Sequence, residues 1–157
     1  MWTDPAHPKR VYLQAEPGEA NHVRAWKRGS ELIISDAHFF TIANPLGDAN
    51  PCTLVKPNTP GRVKCGGHVT LVADLGDEDD TLVYRIFDRH FRVSAVGGDG
   101  TDVLRGGAGR DRLEAEVASG APGNDTLIAS VLAHGGLGLD RCRRAHNLTT
   151  ISCERLT

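Results

Sequence analysis

Between Val11 and Asp74 the apolar positions come in short bursts. VYLQA from Val11, HVRAW from His22, ELIISD from Glu31, FFTIA from Phe39 and HVTLVAD from His68 are each 5 to 7 residues long. They are rich in β-branched or aromatic residues and are bounded by Gly, Pro, Asn or Asp, the pattern of short strands between turns. Nowhere does the chain sustain the 3.6-residue apolar period of an amphipathic helix. RLEAEVAS, over Arg112–Ser119, is the one segment that taken alone predicts one or two helical turns. Residues 1–10, polar with Pro5 and Pro8, are expected to form a flexible arm. Residues 11–74 then make an N-terminal β segment, with 44–67 a proline- and glycine-rich excursion around Cys52 and Cys65.

From Leu75 the pattern changes. Gly97 to Arg105 reads GGDGTDVLR and Gly106 to Glu114 reads GGAGRDRLE, two tandem fits to Gly-Gly-x-Gly-x-Asp-x-U-x with U aliphatic. GAPGNDTLI from Gly120 loses only its second glycine, to Ala121, and GGLGLDRCR from Gly135 has Cys142 at U. LGDEDDTLV from Leu75 keeps Gly76, Asp80 and Leu82, but has Glu78 in place of a glycine. The glycines permit a tight turn with inward carbonyls, the aspartate adds an anionic oxygen, and U plugs a short strand into a core. Oxygen-only donors of this kind suit a hard cation: calcium, with six to eight ligands, better than magnesium, which keeps its waters. Transition metals would ask for the nitrogen or sulfur that the motif lacks. The candidate ligand turns are Gly97, Gly98, Asp99, Gly100 and Asp102; Gly106, Gly107, Gly109 and Asp111; Gly120, Gly123 and Asp125; Gly135, Gly136, Gly138 and Asp140; and Asp77 with Asp80. The alternative is that these aspartates only make Asx-type bonds to their own backbone.

Copies start at 75, 97, 106, 120 and 135. If each nonapeptide is half a coil, copies at 75, 97 and 120 are expected to stack in one row. A degenerate turn near Asp88 to His90, then the copies at 106 and 135, would make the other row. Calcium is then expected between Asp80 and Asp102, between Asp102 and Asp125, and between Asp111 and Asp140.

Charge follows the same division. Residues 74–140 hold 13 acidic and 6 basic side chains, a balance of −7, while the remainder holds 7 and 12, a balance of +5. With an overall charge of −2, no global basic character points to nucleic acid. The 5% aromatic share suits a narrow interior filled by Leu, Val and Ile. Four cysteines form two local pairs, Cys52 with Cys65 and Cys142 with Cys153, neither with zinc-site spacing. Two short-range disulfides are expected, and with them an oxidising compartment; four buried thiols in a cytosolic chain are the alternative.

The tandem nonapeptides resemble the RTX, or hemolysin-type, calcium-binding repeat. The wider pattern is similar to small secreted actinobacterial calcium-binding proteins, in which a Gly-Glu-x-Asn turn (here Gly18, Glu19 and Asn21) and a cysteine pair precede the repeats. The resemblance implies a right-handed parallel β-roll over 75–157 with a disulfide-closed C-terminal cap, calcium ions in the turns, and an extracellular location. The chain start has no apolar run of signal-peptide type, so a secreted protein would be represented here by a mature or truncated form, or its true start would lie upstream of Met1.

The seven histidines lack the His-Glu-x-x-His spacing, and no nucleophile elbow, P-loop or dinucleotide fingerprint occurs. Neither a catalytic site nor a transmembrane segment is expected. The expected function is calcium binding by a non-enzymatic secreted protein that folds with the ion. Alternatives are a folding or export module of a larger secreted enzyme, and a cell-surface adhesion module using the basic N-terminal part.

Overall fold

The computed structural model describes residues 9–36, 40–43, 52–55, 61–67, 69–144 and 150–156. The described residues contain no helix. The strands are β1 (Lys9–Ala15), β2 (His22–Arg28), β3 (Glu31–Ser35), β4 (Phe40–Ala43), β5 (Cys52–Leu54), β6 (Arg62–Gly66), β7 (Val69–Asp74) and β8 (Thr81–Arg85). They continue with β9 (Arg92–Val96), β10 (Val103–Arg105), β11 (Arg112–Ser119), β12 (Thr126–His134), β13 (Arg141–Arg144), β14 (Thr150–Ser152) and β15 (Arg155–Leu156).

Two parallel ladders carry most of the pairing. The first runs β1, β7, β9, the start of β11, the start of β12, β13 and β15. The second runs β2, β8, β10, the end of β11, the end of β12 and β14. Strands β11 and β12 belong to both, so all fifteen strands hydrogen-bond into one sheet. The antiparallel additions all precede residue 67: β4 lies on β1, and β3, β6 and β5 extend outward from β2.

Parallel register turns the sequence period into columns of core. Leu13, Ala73, Ala95, Leu113, Leu127 and Cys142 are successive partners along the first ladder, each at most 2% exposed. Val23, Leu82, Leu104, Ala118 and Ala133 do the same along the second. All five U positions are thus buried, as the motif requires. Removing such apolar surface from water is the main favourable term for a chain with so few aromatic side chains.

Two expectations change and one gains detail. Arg112–Ser119 is the eight-residue strand β11, not helix, because its backbone groups pair with β9 and β10 on one side and β12 on the other. Tertiary pairing overrides the weak local preference of Glu and Ala for helix. The excursion over 44–67 holds the antiparallel hairpin β5–β6, with Cys52 opposite Cys65 and the two joined as a disulfide; residues 44–51 and 56–60 lie outside the described residues. The arm expected over 1–10 overlaps β1, because Lys9 and Arg10 pair with Val69 and Thr70; residues 1–8 lie outside the described residues.

Candidate functional site

Among the described residues, most passages between the ladders are turns, and these turns stack in two columns. Column one leads from the first ladder to the second through Gly18–Asn21, Gly76–Asp80 and Gly98–Asp102, then through the register shift between Ala115 and Val117 in β11. Column two returns through residues 86–91, 106–111, 120–125 and 135–140.

Acidic side chains stitch each column along its length. In column one the N–H of Asn21 donates to Oδ1 of Asp80 (2.7 Å), that of Asp80 to Oδ1 of Asp102 (2.9 Å), and that of Asp102 to Oε2 of Glu116 (2.9 Å). In column two Val93 donates to Asp111 (2.9 Å), Asp111 to Asp125 (2.8 Å), Asp125 to Asp140 (2.8 Å) and Asp140 to Oε2 of Glu154 (2.8 Å). Each carboxylate therefore takes an N–H from the preceding level of its column. Of the described motif aspartates, Asp111 also bonds its own turn, accepting from Gly107 N–H at 2.7 Å. An Asx turn closed on its own backbone does not describe the rest.

The motif aspartates Asp80, Asp102, Asp111, Asp125 and Asp140 are at most 2% exposed. In four of them, Asp80, Asp102, Asp125 and Asp140, Oδ2 is buried without a hydrogen-bond partner. Burying an ionised carboxylate with an unsatisfied oxygen is costly. Burial accordingly pushes the Asp80 and Asp111 carboxyls up to about 6 and Asp125 up to about 7. Asp102 is raised for the same first reason, desolvation.

The glycines are where the turns touch. At Gly97, Gly106, Gly120 and Gly135 an added Cβ would meet the carboxylate of the aspartate in the same nonapeptide. At Gly98, Gly100, Gly109, Gly123, Gly136 and Gly138 it would meet a backbone carbonyl of the preceding turn. Gly107 faces the carbonyl of Ile86. Where the template glycine is absent the turn keeps its shape: Glu78 and Ala121 adopt φ of 74° and 71°. Such left-handed backbone is unfavourable for non-glycine residues and persists because the stacked neighbours hold it.

This geometry corrects the row assignment. Copies 75 and 97 do share a column, with Asp77 bridged in parallel to Asp99, and the turn holding Asp88 and His90 does precede copy 106 in the other. Copy 120, however, stacks between 106 and 135. Asp102 is followed by Glu116, not Asp125, and Asp111 by Asp125, not Asp140. Strands β11 and β12 run through the place where column one would turn, so the chain there crosses between the ladders with one nonapeptide instead of two. The tandem copies do lie on opposite sides, Asp102 in column one and Asp111 in column two.

Other expected residues sit at the rim. Asp99 is exposed, and Asp77 accepts the N–H of Gly18 at 2.7 Å. Asp88 belongs to neither acidic ladder; its hydrogen bond from Lys27 (2.6 Å), with His90 beside it, holds its carboxyl well below the usual range. Glu116 and Glu154 were not singled out from sequence. Each follows the last aspartate of its column by 14 residues, the spacing that also separates Asp111 from Asp125. That interval was the available signal.

Among the described residues, no three His, Cys, Asp or Glu side chains converge as a metal-binding group. The oxygen donors the turns offer are instead carboxylates in single file and carbonyls of stacked glycine turns. No protein-family model matches this chain, and no curated protein or solved structure matches it either.

Proposed function

We propose that this chain is a calcium-binding protein, a right-handed parallel β-roll whose stacked turns take the ion between successive coils. The hand follows from the strong preference of parallel crossovers for right-handed connection. The observation that carries the function is the set of four buried carboxylate oxygens without partners, in turns whose only other donors are oxygens. A divalent hard cation would satisfy these oxygens and offset their burial. The residues that would hold it are Asp80 with Asp102 in column one, and Asp111, Asp125 and Asp140 in column two, with carbonyls of the intervening turns.

Calcium on this view is part of the folding free energy. Stacking the turns brings carboxylates into line at the cost of desolvation and mutual repulsion, and a bound cation removes both. The protein is non-enzymatic and acts outside the cell, where calcium is plentiful. In support, Cys52–Cys65 and Cys142–Cys153 are both disulfide-bonded, as in proteins of oxidising compartments. Among the described residues no helix is long and apolar enough to cross a membrane.

Titrating chelator-treated protein with calcium, by calorimetry and far-UV circular dichroism together, tests the proposal. Saturable heat with a rise in melting temperature is expected. An unchanged spectrum and melting temperature up to millimolar calcium would refute it.

A further inference from the structure

The outer face of the second ladder carries cations in register. Arg62 pairs with Ser35, Ser35 with Arg24, Arg24 with Val83, and Val83 with Arg105, across β6, β3, β2, β8 and β10. One guanidinium thus stands on every second strand, about 10 Å apart at the usual strand spacing. One layer along, Lys64, Ile33, Trp26 and Arg85 are aligned in the same way. Arg24, Arg62, Arg85 and Arg105 are all exposed. Among the described residues none of these four pairs with a carboxylate; the one acid paired with a cation of this face is Glu31, 3.4 Å from Lys64.

A groove of about 480 Å³ opens in this face, lined by Arg24, Trp26, Ser35, Arg62, Val83 and Arg85. Arg62 lies over the Trp26 ring, 5.5 Å from its centroid. The groove therefore combines forked cationic donors with one half-buried aromatic ring. Guanidinium groups match carboxylate and sulfate oxygens two at a time. The size falls within the range of small-ligand sites.

We propose that this face binds an acidic polysaccharide, with Arg24, Arg62, Arg85 and Arg105 taking its carboxylate or sulfate groups and Trp26 packing on a sugar ring. Guanidiniums two strands apart are separated by close to the length of a disaccharide, so successive acidic sugars meet successive arginines. Single-stranded nucleic acid fits less well, because such sites use several aromatic rings to stack successive bases, and among the described residues this face has one. The two disulfides also favour a partner in an oxidising compartment. None of these residues belongs to the aspartate turns, so the proposal stands apart from calcium binding.

Heparin oligosaccharide is the probe, titrated into the intact chain in calcium and again in chelator, with uncharged dextran and a single-stranded oligonucleotide as comparisons. Heparin is expected to bind in a salt-sensitive way and dextran not at all. Arg24→Gln/Arg85→Gln should weaken heparin by roughly tenfold or more, as two charge-assisted contacts are lost. Trp26→Ala should weaken it by roughly threefold or more with every charge kept. Arg112→Gln, which removes one charge from the first ladder, should change it by less than about twofold. Should the double variant fail to fold, Arg105→Gln on β10 reads the same face. Absence of heparin binding, an equal loss in Arg112→Gln, or tighter binding of the oligonucleotide through the same residues would each overturn the proposal. Loss of heparin binding in chelator alone would implicate the calcium-held fold, and loss in the arginine variants in calcium implicates the face.

Discussion

The backbone N–H of Asp111 donates to Oδ1 of Asp125 across 2.8 Å, although the two side chains belong to different coils. Asp125 in turn donates its own N–H to Asp140. One residue thus acts as acceptor for the turn before it and donor to the turn after it, and its second carboxylate oxygen is left buried without a partner. The same group that fastens the turns together is the one to which the proposed function assigns the cation.

Asp125→Asn separates these two roles. The amide oxygen can still accept from Asp111, so the metal-free protein should melt at the same or a higher temperature, having lost a buried charge. Calcium affinity in column two should fall by roughly tenfold or more, since hard cations depend on anionic oxygen. Asp99→Asn, at the exposed rim, should leave affinity within about threefold. Calorimetric titration of the three proteins measures the contrast.

Acid should act in opposite directions on the two states. Asp80, Asp111 and Asp125 have folded values of about 6, 6 and 7, above the unfolded carboxyl value of about 3.9. The folded, metal-free protein therefore binds more protons than the unfolded chain between about pH 4 and 7, and it loses stability as pH rises through that window. With calcium present protons compete with the ion, so stability should rise with pH over the same window. Melting temperatures at pH 4.5, 5.5, 6.5 and 7.5 (approximate set points spanning that window), with calcium or with chelator, should give slopes of opposite sign. Parallel slopes would contradict the cation sites.

Gly123→Ala probes the stacking itself. The new methyl would collide with the carbonyl of Gly109 in the preceding turn. Overpacking against backbone, which cannot swing aside, should cost about 1–3 kcal/mol and lower calcium affinity in column two. Chemical denaturation with and without calcium reads both effects.

Leu104→Ala tests the column of core. Leu104 is fully buried between Leu82 on β8 and Ala118 on β11. Truncation should cost about 2–5 kcal/mol. Phe87→Ser, at a ring 90% exposed, should change stability by less than about 0.5 kcal/mol. Denaturant midpoints of the two variants measure the difference.

Much was legible along the chain because strands and tight turns are local devices. Short runs closed by Gly, Pro, Asn or Asp marked β1, β2, β3, β4 and β7, and the Gly-Gly-x-Gly-x-Asp-x-U-x template marked every column turn from Gly76 onward except 86–91, which was noted as degenerate. The template also named the five buried U residues and the five buried aspartates, since a glycine turn followed by an inward aliphatic leaves those side chains few other places to go. RLEAEVAS departs from its local preference because helix preference is a property of the isolated segment, while its strand form depends on partners on both sides.

Neighbour relations between coils could not be read in the same way. The sequence by itself determined which residues make turns, which side chains enter the core and where the oxygen donors are concentrated. Only the tertiary structure decided that copy 120 stacks on copy 106, that Asp102 answers to Glu116 and Asp140 to Glu154, and that Arg62, Arg24 and Arg105 align across five strands with Arg85 one layer along. Those relations depend on how many residues each coil spends in crossing from one ladder to the other. A bulge in β11 and a long β12 change that count without changing the repeat, so spacing alone assigns the wrong neighbour.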